Sequence, residues 1–299
     1  MRGVRLDDLY KMIAYIYGDR NRLCHASMIF IHLVESCGML AAHDRKKKRD
    51  AIEIGDALCK ALGWYLALMA KFHVKSVEEL VYRKFPLACP YCLSAPHREV
   101  ACKLGQDIGL TVDSVSVRAL YRQNADRRPA TLNEWQSMFQ RIYPRKADER
   151  GRSTVGLLEE IGELAEALRM HRRHPKYFLG EAADTFSYLM GIANEHALRL
   201  RRDKNVVFSL EEEFLARYPG LCLQCGYRVC ACPAAPGAAA SRPAKEMDID
   251  AADELFMTNR KALLDAGSEI SGRVLERMAR SRRRATRSPF DPGGARPVL

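Results

Sequence analysis

Long hydrophobic runs are missing from this 299-residue chain, and the longest uninterrupted candidate, Ala61 to Ala70, is short and closed by Lys71. Such a run falls well short of a bilayer-spanning helix, so no membrane partner is expected. Met1 to Asp8 also lacks the apolar core of a secretory leader, which points to a cytoplasmic protein. Strict alternation of apolar and polar residues is missing too, apart from a possible short strand at Val112 to Val117. Glycine and proline are too few for a collagen-like chain, while 47% hydrophobic, 28% charged and 8% aromatic residues describe a globular one. Acidic residues are the scarcer sign, giving a net charge of +11. Much of this excess is local. Arg277 to Leu299 holds seven Arg against one Asp, and Arg45-Lys46-Lys47-Lys48-Arg49 falls between two apolar-periodic segments. Both read as solvated charge at a tail and a turn; the Arg-rich tail leaves nucleic acid as a possible but not favoured partner.

Cysteine, by contrast, is plentiful. Ten Cys without a secretory leader argue for metal binding over a disulfide framework. Cys24, Cys37 and Cys59 stand singly in or beside apolar-periodic segments and read as buried thiols. Cys222, Cys225, Cys230 and Cys232 have the spacing of a closed tetrahedral zinc site. Cys89, Cys92, His97 and Cys102 form a second, weaker set. The Cys89-Pro-Tyr-Cys92 string also spells a redox motif, but that chemistry needs a strand–helix–strand context that is not expected here.

Sliding the sequence on itself brings the two sets into register. Ser76-Val-Glu-Glu-Leu80, Phe85-Pro86 and Cys89-x-x-Cys92 match Ser209-Leu-Glu-Glu-Glu213, Tyr218-Pro219 and Cys222-x-x-Cys225 at an offset of 133. Glu53 and Asp56 fall on Glu181 and Asp184 at 128, Leu33 and Glu35 on Leu157 and Glu159 at 124, and Leu6 on Leu132 at 126. Order survives while small insertions separate the elements, as in a diverged duplication. Helical periodicity predicts helices near 6–17, 26–44, 49–72 and 76–84 in the first copy and near 132–143, 154–172, 176–199 and 209–217 in the second. The expected division is 1–104, a linker at 105–131, 132–233, and a tail at 234–299 with a flexible hinge, a helix near 250–280 and a disordered Arg-rich end.

In the second copy Glu160 and Glu163 stand at i, i+3 on one helix, and Glu181 and Asp184 at i, i+3 on the next. Antiparallel packing through the apolar stripes would bring four carboxylates together, a set of oxygen ligands suited to Mg2+ or Mn2+. The competing reading is a solvated acidic face.

Glu160-x-x-Glu163 followed by Glu181-x-x-Asp184 in an all-helical context resembles the signature of the MazG-like all-α nucleoside triphosphate pyrophosphohydrolases, the superfamily that includes dimeric dUTPases. The resemblance covers 132 to about 218 well and the first copy in outline. It implies an all-α pair of four-helix units forming a pseudo-dimer that converts a nucleoside triphosphate to its monophosphate and pyrophosphate; the two cysteine sets add a zinc knuckle at the end of each unit. It also implies metal ligation by Glu160, Glu163, Glu181 and Asp184, with Glu159 or Glu160 as base. Asn194 is a weaker substrate-binding candidate; Lys176, Arg172 and Arg173 could meet phosphates. In the first copy Ser36 and Met39 replace Glu160 and Glu163, leaving Glu35, Glu53 and Asp56 and predicting a metal-free copy in which His32 serves packing. A homodimer of the tandem remains open. A non-enzymatic module that binds a nucleotide or nucleic acid is the alternative.

Overall fold

Ten α-helices and one 3-10 turn carry the described chain, which in this computed structural model comprises residues 3–45, 51–107, 115–146, 151–222 and 224–232. They are α1 (Leu6–Leu23), α2 (Ala26–Arg45), α3 (Ala51–Lys71), α4 (Val77–Lys84), α5 (Glu99–Asp107), α6 (Val115–Gln123), α7 (Leu132–Ile142), α8 (Arg152–Met170), α9 (Pro175–Lys204) and α10 (Leu210–Arg217). The only extended pairing among the described residues is one isolated bridge, Arg5 with Thr131. The hinge, the helix expected near 250–280, the Arg-rich tail and Lys46 to Arg49 lie outside the described residues. Two compact units emerge, Arg2–Phe214 and the chain from Leu215 onward, so the helical cores of both copies share the first.

Local chemistry explains several helix ends. Ser76 caps α4 by accepting from the Glu79 amide, and Thr131 with Glu134 forms a capping box on α7. Two helices outrun the expectation. α1 continues to Leu23 because Lys71 of α3 donates to the carbonyls of Asn21 and Arg22 at 3.1 and 2.9 Å, a cap supplied from another element. α9 continues to Lys204 and stops at Asn205, which takes a left-handed conformation. The segment expected as a linker contains α6 and the end of α5 instead. Among the described side chains each buries one apolar residue, Cys102 in α5 and Val117 in α6, too weak a stripe to stand out among polar neighbours. Val115 to Val117 belong to α6, not to a strand, and 112–114 lie outside the described residues.

Apolar stripes then build the core. α2 packs on α3, α8 on α9, α1 on α3 and α7 on α9, while α3 meets α9 and α2 meets α8 across the copies. Gly156 sets the α8–α9 approach, because a Cβ there would lie 2.1 Å from the Tyr188 ring. Phe186 of α9 sits at the centre, with ring centroids 5.7 Å from Tyr65, 6.3 Å from Trp135 and 6.0 Å from Phe139. Cys37 and Cys59 are buried as expected; Cys24 is only half-buried, because it lies in the short junction between α1 and α2. By length and mean apolarity α2 is a better membrane-span candidate than Ala61 to Ala70, despite Glu35 and Ser36 at its middle; here it packs on α3 and α8.

Backbone bonds between the copies exchange roles under the sequence offset. Leu6 N donates to Ala130 O and Leu132 N to Val4 O, both at 3.3 Å, and each pair maps onto the other by a shift of 126. Glu78 accepts from Asp7 N at 3.1 Å; Glu211 accepts from Asn133 N at 3.4 Å and also from Val4 N at 2.9 Å.

Candidate functional site

α8 and α9 run antiparallel, as the closeness of Ser153 to Glu195 and of Gly156 to Tyr188 requires. The arrangement brings Glu160, Glu163 and Glu181 together, with one oxygen of each within 4.8 Å of the others. Glu160 Oε2 and Glu181 Oε2 are buried without any hydrogen-bond partner. Orphaned buried carboxylate oxygens are costly and demand a cation or a proton. Burial, with repulsion from Asp184, Glu163 and Glu181, pushes the Glu160 carboxyl up to about 8; burial and Asp184 push Glu181 up to about 7. A hard divalent cation fits this oxygen-only donor set.

Asp184 stands apart from those three. Its carboxylate forms an ion pair with Lys84 of α4, whose Nζ also donates to Gly180 O at 3.3 Å. Burial raises the Asp184 carboxyl, against the lowering effect of Lys84. Glu159 is exposed and outside the group. Asn194 is buried, and its Nδ2 donates to Gln136 O of α7 at 3.0 Å, so its amide serves helix packing there. Arg172, Arg173 and Lys176 are exposed at the α8–α9 turn. Lys84 was invisible to the carboxylate pattern. Its one signal was positional, because the repeat places a basic residue, Lys84 or Arg217, immediately before Phe85-Pro86 and Tyr218-Pro219.

In the first copy each retained acid has a basic partner. Glu35 bonds His32 at 2.8 Å, Glu53 lies 3.2 Å from His43, and Asp56 lies 3.0 Å from Lys60. His32 also stacks on Trp64, with centroids 4.5 Å apart. No acidic group from this copy gathers into a potential metal site among the described residues.

The cysteine sets are preorganised. Cys89, His97 and Cys102 place donor atoms within 4.8 Å of one another, with Cys89 Sγ 3.9 Å from Cys102 Sγ. Cys92 is outside that trio, but its Sγ lies 3.8 Å from His97 Nδ1. In the unit from Leu215 onward all four of Cys222, Cys225, Cys230 and Cys232 gather, with Cys222 Sγ 3.5 Å from Cys230 and 3.8 Å from Cys232. Zinc–sulfur bonds of about 2.3 Å give tetrahedral edges of about 3.8 Å, so a four-cysteine set of this shape can hold a metal such as zinc. Both sets use one turn. Leu93 N donates to Cys89 O and Cys89 N to Ser94 O; Gly226 N to Cys222 O and Cys222 N to Tyr227 O repeat the pattern 133 residues later. The turn needs positive φ, met by Gly226 at 76° and, less comfortably, by Leu93 at 54°.

No protein-family model matches the chain, and neither a curated protein nor a solved structure is detectably similar to it.

Proposed function

We propose that this chain is a Mg2+- or Mn2+-dependent nucleoside triphosphate pyrophosphohydrolase whose site lies in the second copy, on a tandem of MazG-like units stabilised by two zinc knuckles. The observation that carries the reading is the pair of buried, partnerless oxygens of Glu160 and Glu181 beside Glu163. Glu160, Glu163 and Glu181 would hold the cation, with Asp184 joining once released from Lys84. A divalent cation there supplies charge neutralisation on phosphate oxygens and orientation of a water. Glu160 is the better base of the two candidates, because it borders the cluster, whereas Glu159 faces solvent. Hydrolysis then adds water at the α-phosphorus, breaks its bond to the bridging oxygen and releases pyrophosphate. The role exchange of backbone bonds between copies supports a pseudo-dimer within one chain, and ten free cysteines fit a reducing cytoplasm.

Purified protein with Mg2+ and a nucleotide panel tests the reading by release of pyrophosphate and monophosphate. Glu163→Gln should lower turnover about a hundredfold or more, since removing a ligand charge weakens the cation's hold. Glu53→Gln, in the paired-off first copy, should change it less than about twofold. Absence of release from every nucleotide by folded, zinc-loaded protein would favour a nucleotide- or nucleic-acid-binding module instead.

A further inference from the structure

The acidic cluster belongs to the second copy, and Tyr177 and Tyr188 of that copy lie near it, yet Lys84, the cation paired with Asp184, comes from the first. Lys84, the last residue of α4, is only 6% exposed and lies 100 residues from Asp184 in sequence. Tyr91, in the turn between Cys89 and Cys92, feels Lys84, Asp184, Glu181 and Glu160, and Tyr65 of α3 feels Asp184. The Tyr65 hydroxyl is buried without a hydrogen-bond partner. A buried ammonium is costly unless compensated, and a purely structural ion pair compensates it one to one. Here one ammonium stands at the edge of four carboxylates, three of which gather without it. The arrangement is a counter-charge placed at the rim of a site, with one of its three N–H donors left beyond those given to Asp184 and Gly180.

We propose that Lys84 is the phosphate-binding residue of the second copy's site: it neutralises Asp184 while no divalent cation is present and, once Asp184 ligates a cation, donates to the pyrophosphate oxygens of the substrate. The inference rests on the pyrophosphohydrolase reading and deepens it. The copy that lost its own acids therefore completes the site of the other, and the two copies cannot be separated without loss of substrate binding. A lysine point charge suits this role, because it can change partner without the fixed planar geometry of an arginine fork.

The test is calorimetry on the full chain with Mn2+ alone and then with inorganic pyrophosphate added to the Mn2+-loaded protein. Lys84→Met keeps the stem and removes the charge. It should bind Mn2+ about threefold more tightly, because the competing ammonium is gone, and pyrophosphate about tenfold more weakly. Lys84→Arg keeps the charge and should retain pyrophosphate affinity within about threefold. A structural role moves both affinities the same way, so opposite movement is the signature. Unchanged pyrophosphate affinity in Lys84→Met, or parallel loss of both affinities with a lowered melting temperature, overturns the role of Lys84 alone. Failure of the unaltered protein to bind Mn2+ overturns the pyrophosphohydrolase reading and this inference with it.

Discussion

At the residue scale the acidic site holds protons tightly. Glu160 and Glu181 hold their protons more tightly in the fold than in the unfolded chain, where a glutamate titrates near 4.5. A carboxyl raised on folding favours the fold at low pH, and that advantage is lost as pH rises through the folded value. In the metal-free protein the loss should therefore fall between about pH 5 and 9. Melting followed by circular dichroism should show a lower midpoint at pH 9 than at pH 6, a slope flattened by Glu160→Gln and removed by saturating Mg2+ at pH 9. The sequence showed which carboxylates stand together on a helix. One helical step of about 100° separates Glu160, half-buried at the edge of the apolar stripe, from the exposed Glu159, but only the position of α9 brings Glu181 to face the first of them.

At the element scale the long helices were legible because each carries an apolar stripe of several turns, and the starts of the shorter α4 and α7 were set by the caps Ser76 and Thr131. α5 and α6 were not, since one or two inward residues give no readable period. The turns of the cysteine sets lie between these cases. Their spacing was plain, and the backbone bonds repeat it in both copies. Gly226 has open space around the position of a Cβ, so Gly226→Ala isolates the cost of positive φ at 76°. We expect a loss of about 1 kcal/mol, read as earlier zinc release to a chelator. Leu93→Gly at the equivalent turn should do the reverse, within the smaller gain left after glycine's chain entropy.

At the scale of the whole molecule, the proposed pair of zinc sites predicts two zinc ions per chain by metal analysis, falling to one in Cys222→Ser and in Cys89→Ser. Phe186 tests the shared core: it touches Tyr65 from the first copy and Trp135 and Phe139 from the second. Phe186→Ala should cost about 3–5 kcal/mol in urea unfolding, because rigid helices on both sides cannot collapse into the void. The repeated order of helices, the acid pairs, the cysteine spacing and the loss of acids from the first copy were determined by the sequence alone. Each depends on residue type at short separation, where helical geometry fixes which side chains are neighbours. The ion pair that joins the copies beside the acidic cluster was decided only by tertiary structure. Lys84 reaches Asp184 because α4 meets α9 at one relative orientation, and no local period encodes the orientation of helices a hundred residues apart.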